Sequence, residues 1–284
     1  MTDLHNRVRK ILHTDVVLES HLSGGCVSDV RRLTLSDGRD VVAKVGAGAT
    51  PGLALEGFML EFLSRNSRLP VPNVLFSDDH LLLMNFISGD ESMTTAAEED
   101  AAQHVATLHD ITTSTFGFSC DTIIGGLHQP NTLENSWLTF FRDHRLVYMA
   151  QQAHDARRLP ANILRRLENL CGHLEKWLSE PTAPSLLHGD LWTGNILIGR
   201  SKISGFVDPA IYYGDPEIEL AFTTLFGTFR EPFFRRYADL RGLSPGFFEE
   251  RCDIYNLYPL LVHARLFGGT YVQSVDRTLK RFGF

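Results

Sequence analysis

The run Leu187-His188-Gly189-Asp190-Leu191-Trp192-Thr193-Gly194-Asn195 sets a carboxylate five residues before an amide. A second carboxylate, Asp208, follows thirteen positions after Asn195 in Gly-Phe-Val-Asp-Pro. This is the spacing of a phosphoryl-transfer centre. Asp190 would accept the proton of an attacking hydroxyl, while the amide oxygen of Asn195 and the carboxylate of Asp208 would hold Mg²⁺ against the phosphates of ATP. A loose transition state asks for position more than for a strong base, so Asp190 needs no raised pKa. Asp-x-x-x-x-Asn alone is a common pattern. The weight rests on the full string with the apolar run Ile196-Leu197-Ile198 behind it, a β-hairpin carrying Asn195 at one end and leading to Asp208.

Lys44 adds to this chemistry. It sits in Val41-Val42-Ala43-Lys44-Val45, an otherwise apolar strand, and a charge there needs a partner. Glu56 on the next helix is the favoured one and Glu61 its competitor; a Lys44–Glu56 pair would orient the α- and β-phosphates. Gly24 and Gly25 with Ser28 would let backbone N–H groups approach phosphates. Two glycines also make an ordinary turn, and it is their place about twenty residues before Lys44 that points to nucleotide. Cys26 lies in the same loop, where oxidation of its thiol would block ATP binding or link two chains. His188 reads as a packed or hydrogen-bonded histidine that holds its loop. Trp192 either stacks on a sugar ring or caps the core.

The elements that must position these residues are legible in outline. Residues 27–45 alternate, turn at Asp37-Gly38 and alternate again, a β-hairpin. A helix covers Leu55 to Leu63, and a strand Leu81–Met84 leads into Asn85-Phe86-Ile87-Ser88-Gly89. Strands plus one helix make a small lobe. Beyond Gly89 the period becomes helical: Thr95 with Glu98 forms a capping box for a helix through His109, and Ile163, Leu167, Leu170, Leu174 and Leu178 share a face. A loop-rich segment from Phe116 to Asn131 feeds an aromatic helix with Trp137, Phe140, Phe141 and Tyr148, and the chain from Tyr255 to Phe284 is helical. The expected organisation is an ATP-binding lobe over residues 1–89 and a catalytic and substrate-binding lobe over 90–284, with the cleft near Ser88 to Glu91.

Composition narrows the class. With 284 residues, 43% hydrophobic and 21% charged, the chain is an ordinary globular protein long enough for a sizeable core. A net charge of −7 argues against a general nucleic-acid binder, and Arg157-Arg158, Arg165-Arg166 and Arg235-Arg236 read as solvated helix faces. The four cysteines, Cys26, Cys120, Cys171 and Cys252, are scattered without metal-ligand spacing. No apolar run spans a bilayer, and the first residues lack the apolar core of a signal peptide, so a cytoplasmic protein is expected, a monomer or weak dimer with no nucleic-acid or membrane partner.

A wider set of segments resembles the fructosamine (ketosamine) kinases. These are His188 to Asn195, Phe-x-Asp-Pro-Ala at Asp208, Tyr213-Gly214 with Glu217 and Glu219, Phe226-Gly227, Phe116-Gly117-Phe118, Gln129-Pro130-Asn131 with Trp137, Phe140 and Arg145, and the run Tyr258 to Phe267-Gly268-Gly269 with Tyr271. The likeness runs from Gly24 to Tyr271. It implies an α+β, bilobal protein-kinase-like fold with a small β-rich N-lobe and a larger, mainly helical C-lobe. It also implies ATP- and Mg²⁺-dependent phosphorylation of the sugar moiety of a ketosamine, typically at its third carbon. The adduct then decomposes and frees the amine, a deglycation repair. By the same likeness Lys44, Glu56, Asp190, Asn195 and Asp208 keep the roles argued above, Trp192 stacks on sugar, and Met84, Asn85, Phe86 and Ile87 hold adenine through backbone groups. Two departures stand out. Asn85 replaces the usual acid after the hinge Met, and Tyr213-Gly214-Asp215-Pro216-Glu217 replaces Tyr-Gly-His-x-Glu, so substrate preference is the open point.

Two rival readings remain. A kinase for another small hydroxylated amine, such as an aminoglycoside, choline or a thio-sugar, would use the same string. A catalytically silent binding module would have lost Lys44, Asp190 or Asp208, and all three are present.

Overall fold

The computed structural model describes residues 3–22, 29–46, 52–89 and 91–284. Gly24, Gly25, Cys26 and Ser28 lie outside the described residues, and with them the expected phosphate loop. The chain forms two compact units, Met1–Asp100 with Gly194–Pro209, and Ala101–Thr193 with Ala210–Phe284.

The first unit is built on a five-stranded antiparallel sheet, β1 (Val16–His21), β2 (Asp29–Leu35), β3 (Asp40–Val45), β4 (Val74–Ser77) and β5 (Leu81–Asn85), in the order β1-β2-β3-β5-β4. The β2–β3 hairpin turns at Asp37-Gly38 as expected. Alternation sorts its two faces. Leu33, Leu35, Val41, Ala43, Leu81 and Leu83 pack with Val8 of helix α1 (Asp3–Leu12) on one side. Val42, Leu82 and Met84 pack with Leu53 and Leu60 of helix α2 (Leu53–Asn66) on the other. Lys44 pairs with Leu82 across the sheet and, two residues on from Val42, belongs to the α2 side. Helix α1 thus packs on the sheet in addition to the helix expected there. α1 escapes a reading of the sequence although Leu4, Val8, Ile11 and Leu12 repeat at helical spacing, because Val8 is the one residue of that helix that is buried.

A hairpin a hundred residues further on joins the first unit. Its strands Ile196–Gly199 and Lys202–Phe206 are antiparallel, and Arg200 and Ser201 turn at φ +55° and +59°, the left-handed pair of a two-residue hairpin loop. Glu91 holds that loop by accepting from both Arg200 and Ser201 amides at 2.7 Å. Phe206 N–H donates to Pro70 O at 2.7 Å and Ile203 N–H to Asp100 at 3.0 Å. A Cβ on Gly89 would stand 2.5 Å from the Cβ of Leu197, so only glycine permits this approach.

Helix α3 (Thr95–His109) runs as expected, but its cap is Thr94, whose hydroxyl accepts from Ala97 N–H at 3.2 Å. The second unit is mainly helical around Cys252–Phe267, a helix buried on nearly every side, with Pro216–Leu225, Tyr148–Asp155 and Thr270–Arg281 packed against it. Trp137 is fully buried and stacks on Phe140 and Phe141. Short strands Ser185–Leu187 and Tyr212–Gly214 pair antiparallel and deliver the chain into the His188–Asp190 loop. Among the described residues no helix is long and apolar enough to cross a membrane.

Candidate active site

In the first unit the charge problem posed by Lys44 is solved twice over. Its ammonium donates to Glu56 Oε1 at 2.6 Å and also to the carboxylate of Asp208. The competitor Glu61 is turned outward to Arg65 at 2.6 Å. Lys44 and Glu56 are both buried. Burial alone would pull the lysine pKa down, but the two carboxylates outweigh it and hold the ammonium charged. For Glu56 burial prevails and pushes the carboxyl up against the attraction of Lys44. Such a pair holds one lysine in one orientation rather than adding much net stability.

Asn195 and Asp208 flank the two ends of the hairpin, and Val207 N–H donates to Asn195 O at 3.0 Å, which sets them in register. Asn195 is buried; Asp208 stands at φ +55°, a conformation that costs a non-glycine residue about 1 kcal/mol or more. Among the described residues no three His, Cys, Asp or Glu side chains converge as a closed metal site. One carboxylate plus one amide oxygen is a hard-oxygen donor pair that fits Mg²⁺, which prefers to keep water and phosphate oxygens for its remaining positions.

The expected adenine hinge is partly occupied by the unit's own bonds. Met84 is buried in the ladder between Val42 and Val74. Asn85 N–H donates to Asn73 O at 3.0 Å and Phe86 N–H to Asp40 O at 3.1 Å, while the Arg32 guanidinium lies 4.1 Å over the Phe86 ring. Asn85 also receives the Asn73 amide on its side chain, a local clasp. Ile87 is the hinge residue whose amide makes no hydrogen bond among the described residues.

In the second unit the loop bearing Asp190 is held from behind. Gly189 stands at φ +84°, and a Cβ there would come 2.0 Å from Ala210 O. Ala210 N–H in turn donates to His188 O at 2.8 Å. Glu219, buried on the helix Pro216–Leu225, accepts from Gly189 N–H at 2.6 Å and from His188 N–H at 3.2 Å. Its other partner is His109 Nε2 at 2.9 Å, whose Nδ1 lies 2.8 Å from the Tyr237 hydroxyl. Burial would raise the Glu219 pKa, yet the bond and charge of His109, the charge of His188 and the Gly189 amide lower it, so the carboxylate stays ionised. The His188 ring itself receives Asp190 N–H on Nδ1 at 3.4 Å, the loop-holding part expected of it. Sequence reasoning does not single out Glu219 and His109 for this role, since 110 residues separate them along the chain.

Trp192 is half-buried with its ring edge-on to Phe226 at 5.8 Å. The segments Gln129-Pro130-Asn131 and Arg145 form a buried network. The Arg145 guanidinium donates to Pro130 O at 2.6 Å and Asn131 Oδ1 at 2.7 Å and lies 4.0 Å over Tyr212, while Gln129 joins Ala210 O and the Tyr258 hydroxyl. These signature residues build the floor under the loop rather than the reacting surface.

A β-rich unit with a buried lysine–glutamate pair and a helical unit carrying the His-Gly-Asp loop define a protein-kinase-like phosphotransferase. The chain belongs to the fructosamine kinase family, whose model matches residues 5–282. It is 33% identical over 276 residues to the relative named "Probable ketoamine kinase YniA" of Escherichia coli (strain K12), covering 93% of this chain and 94% of that one. To "Probable ketoamine kinase slr1563" of Synechocystis sp. it is 40% identical over 185 residues, 63% of this chain and 60% of that protein, so this match spans less than two thirds of the relative's length. Among solved structures, a candidate fructosamine-3-kinase from Thermobifida fusca YX-ER1 superposes with a TM-score of 0.85 at 29% identity, covering 98% and 99% of the two chains.

Proposed function

We propose that this protein is an ATP-dependent kinase that phosphorylates a hydroxyl on the sugar part of a ketosamine, a sugar joined through its ketose form to an amino acid or protein amine. The observation that carries the reading is the buried Lys44 bound at once to Glu56 and to Asp208, in a chain whose relatives are named ketoamine kinases. The roles draw on residues of both units. Asp190 accepts the proton as the acceptor oxygen bonds to the γ-phosphorus and the bond from that phosphorus to the β-γ bridging oxygen breaks, releasing ADP. Lys44 orients the α- and β-phosphates, and Glu56 fixes Lys44. Asn195 and Asp208 hold Mg²⁺, which when bound neutralises phosphate charge. The free amide of Ile87 receives adenine, Gly24, Gly25 and Ser28 cover the phosphates, and Trp192 stacks on the sugar. The need for ATP is met in the cytoplasm. Phosphorylation at the third carbon would make the adduct decompose and free the amine.

The test is Mg²⁺-dependent ADP release with ribuloselysine, erythruloselysine, fructoselysine, kanamycin and choline, with Asp190→Asn as the control. Turnover on a ketosamine that falls by about 10³ or more in the variant supports the reading. Turnover on kanamycin or choline alone overturns it in favour of a kinase for another amine, and ATP binding without any turnover favours a binding module.

A further inference from the structure

The second unit contains a cleft of about 750 Å³, a volume in the range of small-molecule sites. Trp177, Glu180, Ser185, Asp215, Arg241 and Arg251 are among the residues that line it, and neither Asp190 nor Trp192 does. It is therefore separate from the surface on which the acceptor would react.

The two cations of the lining are already engaged. Arg251 grips Glu217 through Nε at 2.6 Å and Nη2 at 2.9 Å, and donates to Ser244 O and Pro245 O as well. Arg241 pairs with Asp110 at 2.8 Å. Two carboxylates of the lining are left without a cation in contact among the described residues. Glu180 accepts from the Ser136 hydroxyl and from the amides of Trp137 and Leu138. Asp215 is only 7% exposed, and its oxygens accept from neutral donors, Glu217 N–H and the Tyr255 hydroxyl. A buried carboxylate held by neutral donors keeps much of its desolvation cost, which here pushes the Asp215 carboxyl up to about 6. An ammonium ion beside it would offset that cost.

Ser185 supplies an independent sign of a ligand. It is 1% exposed, and its hydroxyl has no hydrogen-bond partner among the described residues, which is rare for a buried polar group. Ser185 pairs with Gly214 across the two short strands, so Asp215 follows directly on the residue opposite it. A primary ammonium carries three N–H donors and no acceptor, which suits a carboxylate and a serine oxygen set close together. The half-buried Trp177 ring adds an aromatic face that attracts a cation and packs against alkyl carbons.

We infer that this cleft is a second binding site, which takes a small primary amine as its ammonium ion, with Asp215 and Ser185 holding the nitrogen and Trp177 against the alkyl part. The inference goes beyond the kinase reading and does not depend on it.

The probe is n-butylammonium chloride, with n-butanol and sodium butyrate as its neutral and anionic counterparts. Each is titrated into the full chain near pH 7 while the indole NMR signal of Trp177, assigned with Trp177→Phe, is followed. Butylammonium is expected to shift the signal with a Kd about tenfold or more below that of either counterpart. Asp215→Asn removes the charge and is expected to raise this Kd about tenfold. Thr182→Trp, at an exposed position of the lining, is expected to weaken binding by filling the cleft, and decides the matter by itself should Asp215→Asn fail to fold. Trp192→Ala is expected to leave the Kd unchanged. No shift with butylammonium, equal affinity for butanol, or a Kd indifferent to both Asp215→Asn and Thr182→Trp overturns the site. A Kd that rises in Trp192→Ala instead puts the amine beside Asp190 and overturns it too. Turnover is not read in any arm, so a failure of the kinase reading leaves the result standing.

Discussion

His109 and Glu219 are in contact at 2.9 Å with neither side chain exposed, and the same carboxylate receives the backbone amides of His188 and Gly189. An ionised group this deeply buried is tolerated only when all its oxygens are engaged. Here the engagement ties three distant stretches together: helix α3 through His109, the Glu231–Arg241 helix through Tyr237, and the loop that ends in Asp190. The backbone ahead of Asp190 is thus positioned by a charge that does not itself reach the loop's surface.

Glu219→Gln tests that positioning. One amide NH₂ would then face backbone donors, and the loop must shift to relieve it. A misplacement of about 1 Å can cost about 10² in rate, so kcat is expected to fall by about that factor while KM for ATP changes little. Steady-state kinetics that show a matched rise in the KM for ATP, with kcat kept, would place Glu219 in general stability instead.

Lys44 and Glu56 should behave as a unit. Lys44→Met leaves a buried carboxyl without its cation and is expected to cost about 3 kcal/mol, and Glu56→Gln a similar amount, whereas the double variant costs less than the sum by about 2 kcal/mol. Urea denaturation of the four proteins measures this cycle. All three variants should bind ATP more weakly, because only the paired lysine is held in place. Additive losses would mean that the contact with Asp208 alone governs Lys44.

Arg145 tests whether the family's signature residues are structural. Its planar fork meets Pro130 O, Asn131 Oδ1 and His144 O while lying over Tyr212 and Phe140, with no exposure. A lysine ammonium cannot reproduce the two-sided fit, so Arg145→Lys is expected to lose about 3 kcal/mol in urea denaturation. Wild-type stability in that variant would show that charge alone suffices.

The sequence exposes those parts of the molecule whose logic is local. Lys44 announces its partner because period-two alternation puts it on the side where α2 packs, and the helix pattern then offers only Glu56 and Glu61. The hairpin after Asn195 follows from a short apolar run. What stays hidden depends on distance along the chain. Nothing local joins Glu91 to the loop at Arg200-Ser201, or His109 to Glu219, and so neither the hairpin's membership of the first unit nor the support of the Asp190 loop can be read there. Thr94 caps α3 although the capping-box pattern falls on Thr95 and Glu98, because the pattern registers side-chain types and not which hydroxyl stands over the free amide of Ala97. Gln129, Asn131 and Arg145 stand out in the sequence as family signature without a reason; the reason is a buried network whose members come from separate segments.

Asp215 makes the stability of this chain depend on pH in an unusual direction. It caps the Pro216–Leu225 helix by accepting Glu217 N–H at 2.9 Å, and it accepts the Tyr255 hydroxyl at 2.6 Å, which in turn receives Trp137 Nε1–H at 3.0 Å. Burial pushes its carboxyl from 3.8 up to about 6, against the pull of those two bonds. A carboxyl raised on folding favours the native state while protonated. Its contribution is therefore full below pH 3.8 and is lost as pH rises through about 6. A rise of that size corresponds to about 3 kcal/mol. Asp215→Asn keeps one acceptor, for the cap, sets an NH₂ against the Tyr255 hydroxyl and cannot ionise. Relative to wild type, the variant should gain about 2.4 kcal/mol between pH 4 and pH 7 in urea denaturation, whatever its offset at pH 4. A difference that stays flat across that window would show that the carboxyl titrates at its ordinary value and that the buried chain to Trp137 accommodates the charge without penalty.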